Sequence, residues 1–178
     1  MNAAAWAMQG KAAADIEEIR IRYRESVAAV LQLAERDLVE LRTYSSPPPA
    51  VAKVLAAVCT ILGLPPEWES AQTRMNHADM ALIEHISNFD VVGMSRARRS
   101  QLRNLLEDAD LQPSRVAAVS SAAHSLALWV RAVEAHGNTE DIRRHMRRAT
   151  RAVLDDSSAS QVKPEVCLAA QSLVEVLL

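Results

Sequence analysis

Residues 11 to 43 contain neither proline nor glycine, the two residues that most strongly disfavour a helix interior. The stretch predicts one helix about 50 Å long, which is longer than a compact core needs. Pro47–Pro49 then remove backbone donors and force the preceding residues out of the α region. Because proline is accepted in the first turn of a helix, and Ser45 or Ser46 can cap it, we expect a new helix to begin there in a new direction.

The apolar positions of this long helix fit two heptad frames that differ by one residue. The first frame is Ile16, Ile19, Tyr23, Ser26, Val30 and Leu33, and the second is Val27, Leu31, Ala34, Leu38 and Leu41. A shift of this kind is typical of a stutter in a coiled coil. A single amphipathic helix whose stripe drifts at 3.6 residues per turn explains the same positions, so both interpretations stay open.

The rest of the chain predicts short helices joined by tight turns. With 31 alanines, 4 glycines and few aromatic residues, the composition favours helices over strands, so we predict an all-α fold. Helical segments are expected over 50–62, near 68–75 and 79–89, over 94–107 and over 115–136. Gly137 and Asn138 predict an interruption before a polar helix over 139–154, which carries Ile142, Met146, Ala149 and Val153 at 3-4 spacing.

The sequence lacks the motifs that most often carry catalysis or metal binding. It contains no GxxxxGK[ST] phosphate loop, no HExxH or CxxC pair and no GxSxG elbow, so we expect no enzyme, no cofactor and no metal. No apolar stretch approaches the roughly 18 residues of a membrane span. Cys59 lies inside an apolar helical run, which favours a buried free thiol and a cytoplasmic location over a disulfide with Cys167.

Arginine is concentrated on two of the predicted helices. The first cluster is Arg96, Arg98, Arg99 and Arg103, and the second is Arg143, Arg144, Arg147, Arg148 and Arg151. A solvated charged face is the simpler interpretation, and contact with an acidic polymer is the alternative. Nucleic acid is disfavoured as that polymer, because the net charge is −2 and few aromatic side chains are available for base stacking.

Four segments of the chain carry a resemblance to a known family. In order they are "LVELRTYSSPPPAVAKVLAAVCTILG", "PPEWESAQ", "IEHISNFD" and "QPSRVAAVSSAAHSLALWVRAVEAH". Together they resemble the stalk tip of dynein heavy chains, which is their microtubule-binding domain, and "ELRTYSSPPPAV" is more similar to the axonemal than to the cytoplasmic heavy chains. The sharpest points of the match are Pro47, Pro48, Trp68, Asn88, Phe89, Asp90, Trp129 and Val130.

The resemblance implies a long antiparallel coiled-coil stalk segment capped by a small globular bundle of about six short helices. It implies an outgoing stalk helix over 1–46, a microtubule-binding tip over 47–130 and a returning stalk helix over 131–154. Over 155–178 the residues themselves predict a loop and then an amphipathic helix that begins at Pro164. Pro47, Pro48 and Pro49 become the stalk hinge. The outgoing helix is further implied to slide against its partner and report the nucleotide state of a distant ATPase ring, which needs two packings of similar energy.

The family's tubulin-facing surface uses the first tip helix, the short helix before "NFD" and the start of the last tip helix. Carried over to the matching positions, the resemblance nominates Lys53, Arg74, His77, His85 and Arg115 as microtubule-binding residues, with Arg96, Arg98, Arg99 and Arg103 as a secondary basic patch. Tubulin is acidic, so cations at these positions gain from charge complementarity. Two positions depart from the family's pattern, namely Asp79 and Ala118.

The function implied by the resemblance is non-catalytic microtubule binding by the stalk tip of a dynein-type motor. Its implied partners are tubulin and a dynein light chain at the tip, without nucleic acid or membrane. The implied location is the cytoskeleton, in the axoneme of a cilium or flagellum. A hypothesis of another class stays open, in which the chain is a helical coiled-coil scaffold whose long first helix pairs with a partner protein.

Overall fold

The computed structural model describes residues 3–33, 35–76 and 81–157. All regular elements in these ranges are helical, which confirms the all-α prediction. They are α1 (Ala3–Leu31), α2 (Glu35–Thr43), α3 (Pro49–Leu62), α4 (Trp68–Asn76), α5 (Ala81–Ser87), α6 (Arg96–Leu106), a 3-10 turn (Ala109–Leu111), α7 (Pro113–Ala117) and α8 (Ser121–Ser157). None of these helices is both long and apolar enough to cross a membrane.

The described residues fall into two compact units. The first unit combines residues 3–20 of α1 with residues 138–157 of α8, and the second unit is residues 21–137. The predicted boundaries of stalk and tip stay predictions. The C-terminal helix predicted from Pro164 lies outside the described residues.

The prediction of one helix over 11–43 is wrong, because α1 ends at Leu31 and α2 begins at Glu35. Burial explains the break. Val30 of the first heptad frame is fully buried on α1, whereas Leu31 of the second frame is 49% exposed, and the second frame becomes buried only at Leu38 and Leu41 on α2. Neighbouring residues of a helix point about 100° apart, so one straight helix cannot turn both frames toward the core. The buried frame positions of α1, Ser26 and Val30, therefore belong to the first frame, whereas those of α2 belong to the second.

The proline segment starts α3 as predicted, but without a serine cap. Pro48 occupies the N-cap position with φ −54° and ψ 144°, no side chain caps the helix, and Pro49 is its first residue. The Ala52 N–H donates to the Pro48 carbonyl oxygen at 3.0 Å. Because proline has no N–H to satisfy and its φ already suits a helix, the first turn of α3 forms without a serine cap.

Helix α3 is the centre of the second unit, where it contacts α4, α6, α7 and the 3-10 turn. Nine of its residues are buried, and Trp129 of α8 is the largest fully buried side chain of the core. The helix ends at Gly63, whose φ of +74° is the left-handed conformation that glycine adopts without strain. Cys59 is a free, buried thiol, as predicted.

Two helix boundaries predicted near the end of the chain are corrected by the structure. The helix expected from Arg115 is two helices, because α7 ends at Ala117 and α8 begins at Ser121, where Ser120 Oγ accepts from the Ala123 N–H at 3.3 Å. Gly137 and Asn138 do not interrupt the helix, since α8 continues through them to Ser157.

In the first unit, α1 and α8 pair through a buried carboxylate. Glu140 is 4% exposed, and it lies 3.5 Å from Arg20 Nη2 and 2.8 Å from Arg143 Nη2. This contact joins the end of the α1 portion of the unit, at Arg20, to the start of its α8 portion, at Glu140. Ile142 and Met146 face away from the pairing side, since they are 54% and 41% exposed.

Candidate functional site

Two of the nominated cations, from distant parts of the chain, lie on one cluster of charges. Lys53 Nζ on α3 lies 2.7 Å from both Asp108 Oδ2 and Asp110 Oδ2, and Arg115 Nη1 on α7 lies 3.2 Å from Asp110 Oδ1. We call these four residues the Asp110 cluster. Its formal charges cancel, with two cations against two carboxylates.

Local structure holds the carboxylates of the cluster in place. Asp108 caps the 3-10 turn, because its Oδ1 accepts from the Asp110 N–H at 2.9 Å. Leu111, the last residue of the turn, is buried, and its carbonyl oxygen accepts from Arg131 of α8 at 3.1 Å. Pro113 then begins α7, where proline is favoured at the first position. The backbone around the two carboxylates is therefore fixed on both sides.

The electrostatics of the cluster favour its charged form. The hydrogen bond from Lys53 holds the pKa of Asp108 and of Asp110 below the ordinary aspartate value, and the two carboxylates in turn raise the pKa of Lys53. All four side chains are half-buried or exposed, so water screens these interactions. Over the described ranges, no group of three or more His, Cys, Asp or Glu side chains could hold a metal ion.

A model of the family described as the microtubule-binding stalk of dynein motor matches residues 8–173. The chain belongs to this dynein stalk family. Human dynein axonemal heavy chain 2 is 31% identical over 74% of the chain, and the dynein-1-beta heavy chain of the flagellar inner arm I1 complex of Chlamydomonas reinhardtii is 31% identical over 64%. The chain spans only 3% and 2% of the length of these two relatives. These matches confirm the predicted family.

A solved structure shares the fold of this stalk domain. The microtubule-binding domain of dynein-c superposes with a TM-score of 0.64 at 22% identity, over 73% of this chain and 92% of that one. This likeness confirms the predicted helical bundle and carries no argument about individual residues. The scaffold hypothesis finds no support in these comparisons.

The other nominated residues of the stalk domain are distributed over α4 and α5. Arg74 lies half-buried in the last turn of α4, and His85 lies exposed in the last turn of α5. His77 is outside the described residues. Neither Arg74 nor His85 is a member of the Asp110 cluster, so their part in binding stays a prediction.

The four arginines of the nominated secondary patch do not share one exposed surface. Arg96 is exposed, Arg98 Nη1 donates to the Ile61 carbonyl oxygen at 3.2 Å, and Arg103 Nε donates to Glu134 Oε1 at 3.2 Å. Arg99 is 8% exposed and donates to backbone carbonyls inside the bundle. Sequence reasoning placed these residues together because they share a helix, whereas the helix turns each one toward a different neighbour.

Sequence reasoning also missed the acidic half of the cluster. None of the residues nominated from the sequence is Asp108 or Asp110. A usable signal is present in the sequence, because aspartates two residues apart directly before a proline-started helix are well placed to cap a turn and so to present carboxylates at a fixed position.

Proposed function

We propose that this chain binds microtubules as the stalk domain of an axonemal dynein heavy chain, and that the surface carrying the Asp110 cluster faces tubulin. The observation that carries the proposal is that Lys53 and Arg115, nominated separately on two helices, share the Asp110 carboxylate. Membership of the stalk family supports the partner. The axonemal relatives support the location.

The Asp110 cluster determines how strongly this surface attracts and binds the acidic tubulin lattice. Because its charges cancel, the surface exerts little long-range attraction on an acidic lattice. At contact, carboxylates of tubulin can replace Asp108 and Asp110 as partners of the two cations, so an internal ion pair is exchanged for an intermolecular one. Such an exchange gives modest affinity and easy release, and it weakens as salt is added.

The remaining parts of the predicted function extend this proposal. The domain itself is non-catalytic, and the ATPase ring belongs to other parts of the heavy chain. The sliding of the outgoing helix α1 against its partner, and a dynein light chain at the tip, stay predictions.

Co-pelleting with microtubules at increasing salt tests the proposal. We expect Lys53→Ala and Arg115→Ala each to weaken binding about fivefold, which corresponds to roughly 1 kcal/mol for one exposed charge contact. Arg36→Ala is the matched control, because Arg36 is a highly exposed arginine that is not among the nominated residues. The proposal fails if the chain does not pellet at low salt, or if the control weakens binding as much as the two cluster variants.

A further inference from the structure

Arg99 is a buried cation bound to backbone carbonyls from two parts of the second unit. Its Nε donates to Met94 at 3.2 Å, its Nη2 donates to Val91 at 2.9 Å and Val92 at 3.3 Å, and its Nη1 donates to Gly137 of α8 at 2.6 Å. We call these four hydrogen bonds the Arg99 clamp. Only the planar fork of a guanidinium can serve so many acceptors at fixed angles.

The glycine at position 137 makes room for the clamp. A Cβ atom built on Gly137 would lie 3.2 Å from Arg99 Nη1 and 3.5 Å from Val91 Cγ1. Glycine inside a helix costs about 1 kcal/mol relative to alanine, and α8 carries this cost at the point where Arg99 approaches its backbone. The sequence marked Gly137 as a helix end, whereas the structure uses it as a place of close approach.

The clamp acts on the chain segment that directly follows α5. Residues 88–95 form no helix, and within them Asp90 Oδ1 accepts from the Val92 N–H at 3.0 Å. Phe89 packs edge-on against Trp129 of α8, with ring centroids 6.1 Å apart, and its carbonyl oxygen accepts from the Tyr23 hydroxyl at 3.5 Å. The segment is therefore tied to α8 by an aromatic contact and by Arg99.

We infer that Arg99 is a positioning residue of the proposed microtubule-binding surface, and that by fixing residues 91–94 to Gly137 it sets where α5 lies relative to α8. This inference rests on the proposed function. It adds that α5, which carries the nominated His85, is held in place by a hydrogen-bonded clamp on α8 in addition to its apolar packing through Leu82, Ile83 and Ile86.

A double-mutant cycle between Arg99 and Gly137 tests the clamp itself. Gly137→Ala should accelerate amide hydrogen exchange in residues 82–94 severalfold while Arg99 is present, because the new Cβ, 3.2 Å from Nη1, requires the guanidinium to shift and weakens its hydrogen bonds. In an Arg99→Met background the same substitution should be neutral or slow the exchange, because alanine favours the helix. A Gly137→Ala effect of equal size in both backgrounds overturns the clamp.

Microtubule affinity tests the positioning role. Arg99→Lys keeps the charge but loses the fork, so we expect its Kd for microtubules to rise at least about fivefold and the exchange in residues 82–94 to accelerate, with α3 unchanged. Arg103→Lys is the control for the exchange measurement only, because Arg103 also joins α6 to α8, but by an exposed ion pair with Glu134.

The outcomes separate this inference from the proposed function. If the unaltered chain does not bind microtubules, the proposed function fails, and the exchange measurements still decide whether Arg99 positions α5. If the chain binds and Arg99→Lys binds equally well with unchanged exchange, the inference fails alone. Equal acceleration in α3 and α5 would also overturn it, because that result indicates general loss of stability.

Discussion

Lys53 and Arg115 bind opposite oxygens of one carboxylate, Asp110, with Lys53 at Oδ2 and Arg115 at Oδ1. This shared partner brings the start of α7 beside the second turn of α3. Each cation already pairs with a carboxylate. Binding to a partner outside the chain therefore requires that ion pair to be broken, which costs free energy. On the proposed surface, Asp110 therefore both positions the two cations and competes with tubulin for them.

Removing the Asp110 charge is expected to strengthen microtubule binding. Asp110→Asn keeps the shape of the side chain but removes the competing carboxylate and one negative charge that tubulin repels. We expect Kd to fall about threefold to tenfold at low salt, with a steeper salt dependence, as measured by co-pelleting. The control is Glu107→Gln, which removes one exposed negative charge from the neighbouring end of α6. Unchanged or weaker binding of Asp110→Asn would contradict the competition.

The two aspartates of the cluster should titrate below their ordinary value of 3.8. Because their pKa values are lowered in the folded chain, the stability they contribute is present above 3.8 and is lost as the pH falls through the lowered values. Carbon-detected NMR of the Asp108 and Asp110 carboxyl groups measures this directly. In Lys53→Met both pKa values should rise, since Lys53 is the main cause of the shift; identical titrations in the two proteins would exclude the ion pairs in solution.

The fold was predictable wherever one helix carries one apolar stripe and a local end signal. Helix α3 is such a case, because its apolar face, the prolines before it and Gly63 after it agree with one another. The break between α1 and α2 was not predictable, since it depends on which of the two heptad frames the rest of the bundle can bury. Likewise, Gly137 reads as a helix end until Arg99 is known to approach it.

Two substitutions to glutamine test which side of α8 contributes to the stability of the first unit. Glu140→Gln should destabilise the chain by about 1–3 kcal/mol, because it leaves Arg20 and Arg143 without the buried carboxylate that both approach. Ile142→Gln should change the free energy of unfolding by less than about 0.5 kcal/mol, because that side chain is exposed. Urea denaturation of the two variants measures both values. A larger loss for Ile142→Gln would place the pairing side on the apolar stripe.

The carboxyl end of α3 should depend on the left-handed conformation of Gly63. Gly63→Ala places a Cβ on a residue with φ of +74° and only 3.1 Å from the Arg98 guanidinium carbon, so we expect a loss of about 1–2 kcal/mol in the free energy of unfolding. Gly63→Asn should cost less, because asparagine tolerates the left-handed region better. Equal losses for the two variants would indicate that crowding against Arg98 outweighs the backbone strain.

The sequence predicted the nominated site only as a set of cations on separate helices, without the carboxylates that bind them. Lys53 lies off the apolar stripe of α3, so periodicity predicts that it faces solvent; its side chain does leave the core, but it ends on two carboxylates. Periodicity within one helix says which side a residue occupies. It does not say which loop of another element covers that side, and here the covering residues come from the 3-10 turn.

The Cys59 thiol provides a direct measure of the stability of the core around α3. Cys59 is 1% exposed, and burial, with a smaller effect from Glu67, raises the pKa of its thiol. Since the thiolate is the reactive form, both effects suppress reaction with a disulfide reagent such as DTNB in the folded chain.

In a Cys167→Ala variant at pH 8, we expect Cys59 to react at least about a thousandfold more slowly in buffer than in concentrated urea, because reaction requires opening of the core. Adding Gly63→Ala should accelerate the reaction in buffer by about the factor that its loss of stability predicts, roughly tenfold for each 1.4 kcal/mol. Reaction in buffer within a few-fold of the unfolded rate would mean that the α3 core opens far more readily than its burial implies.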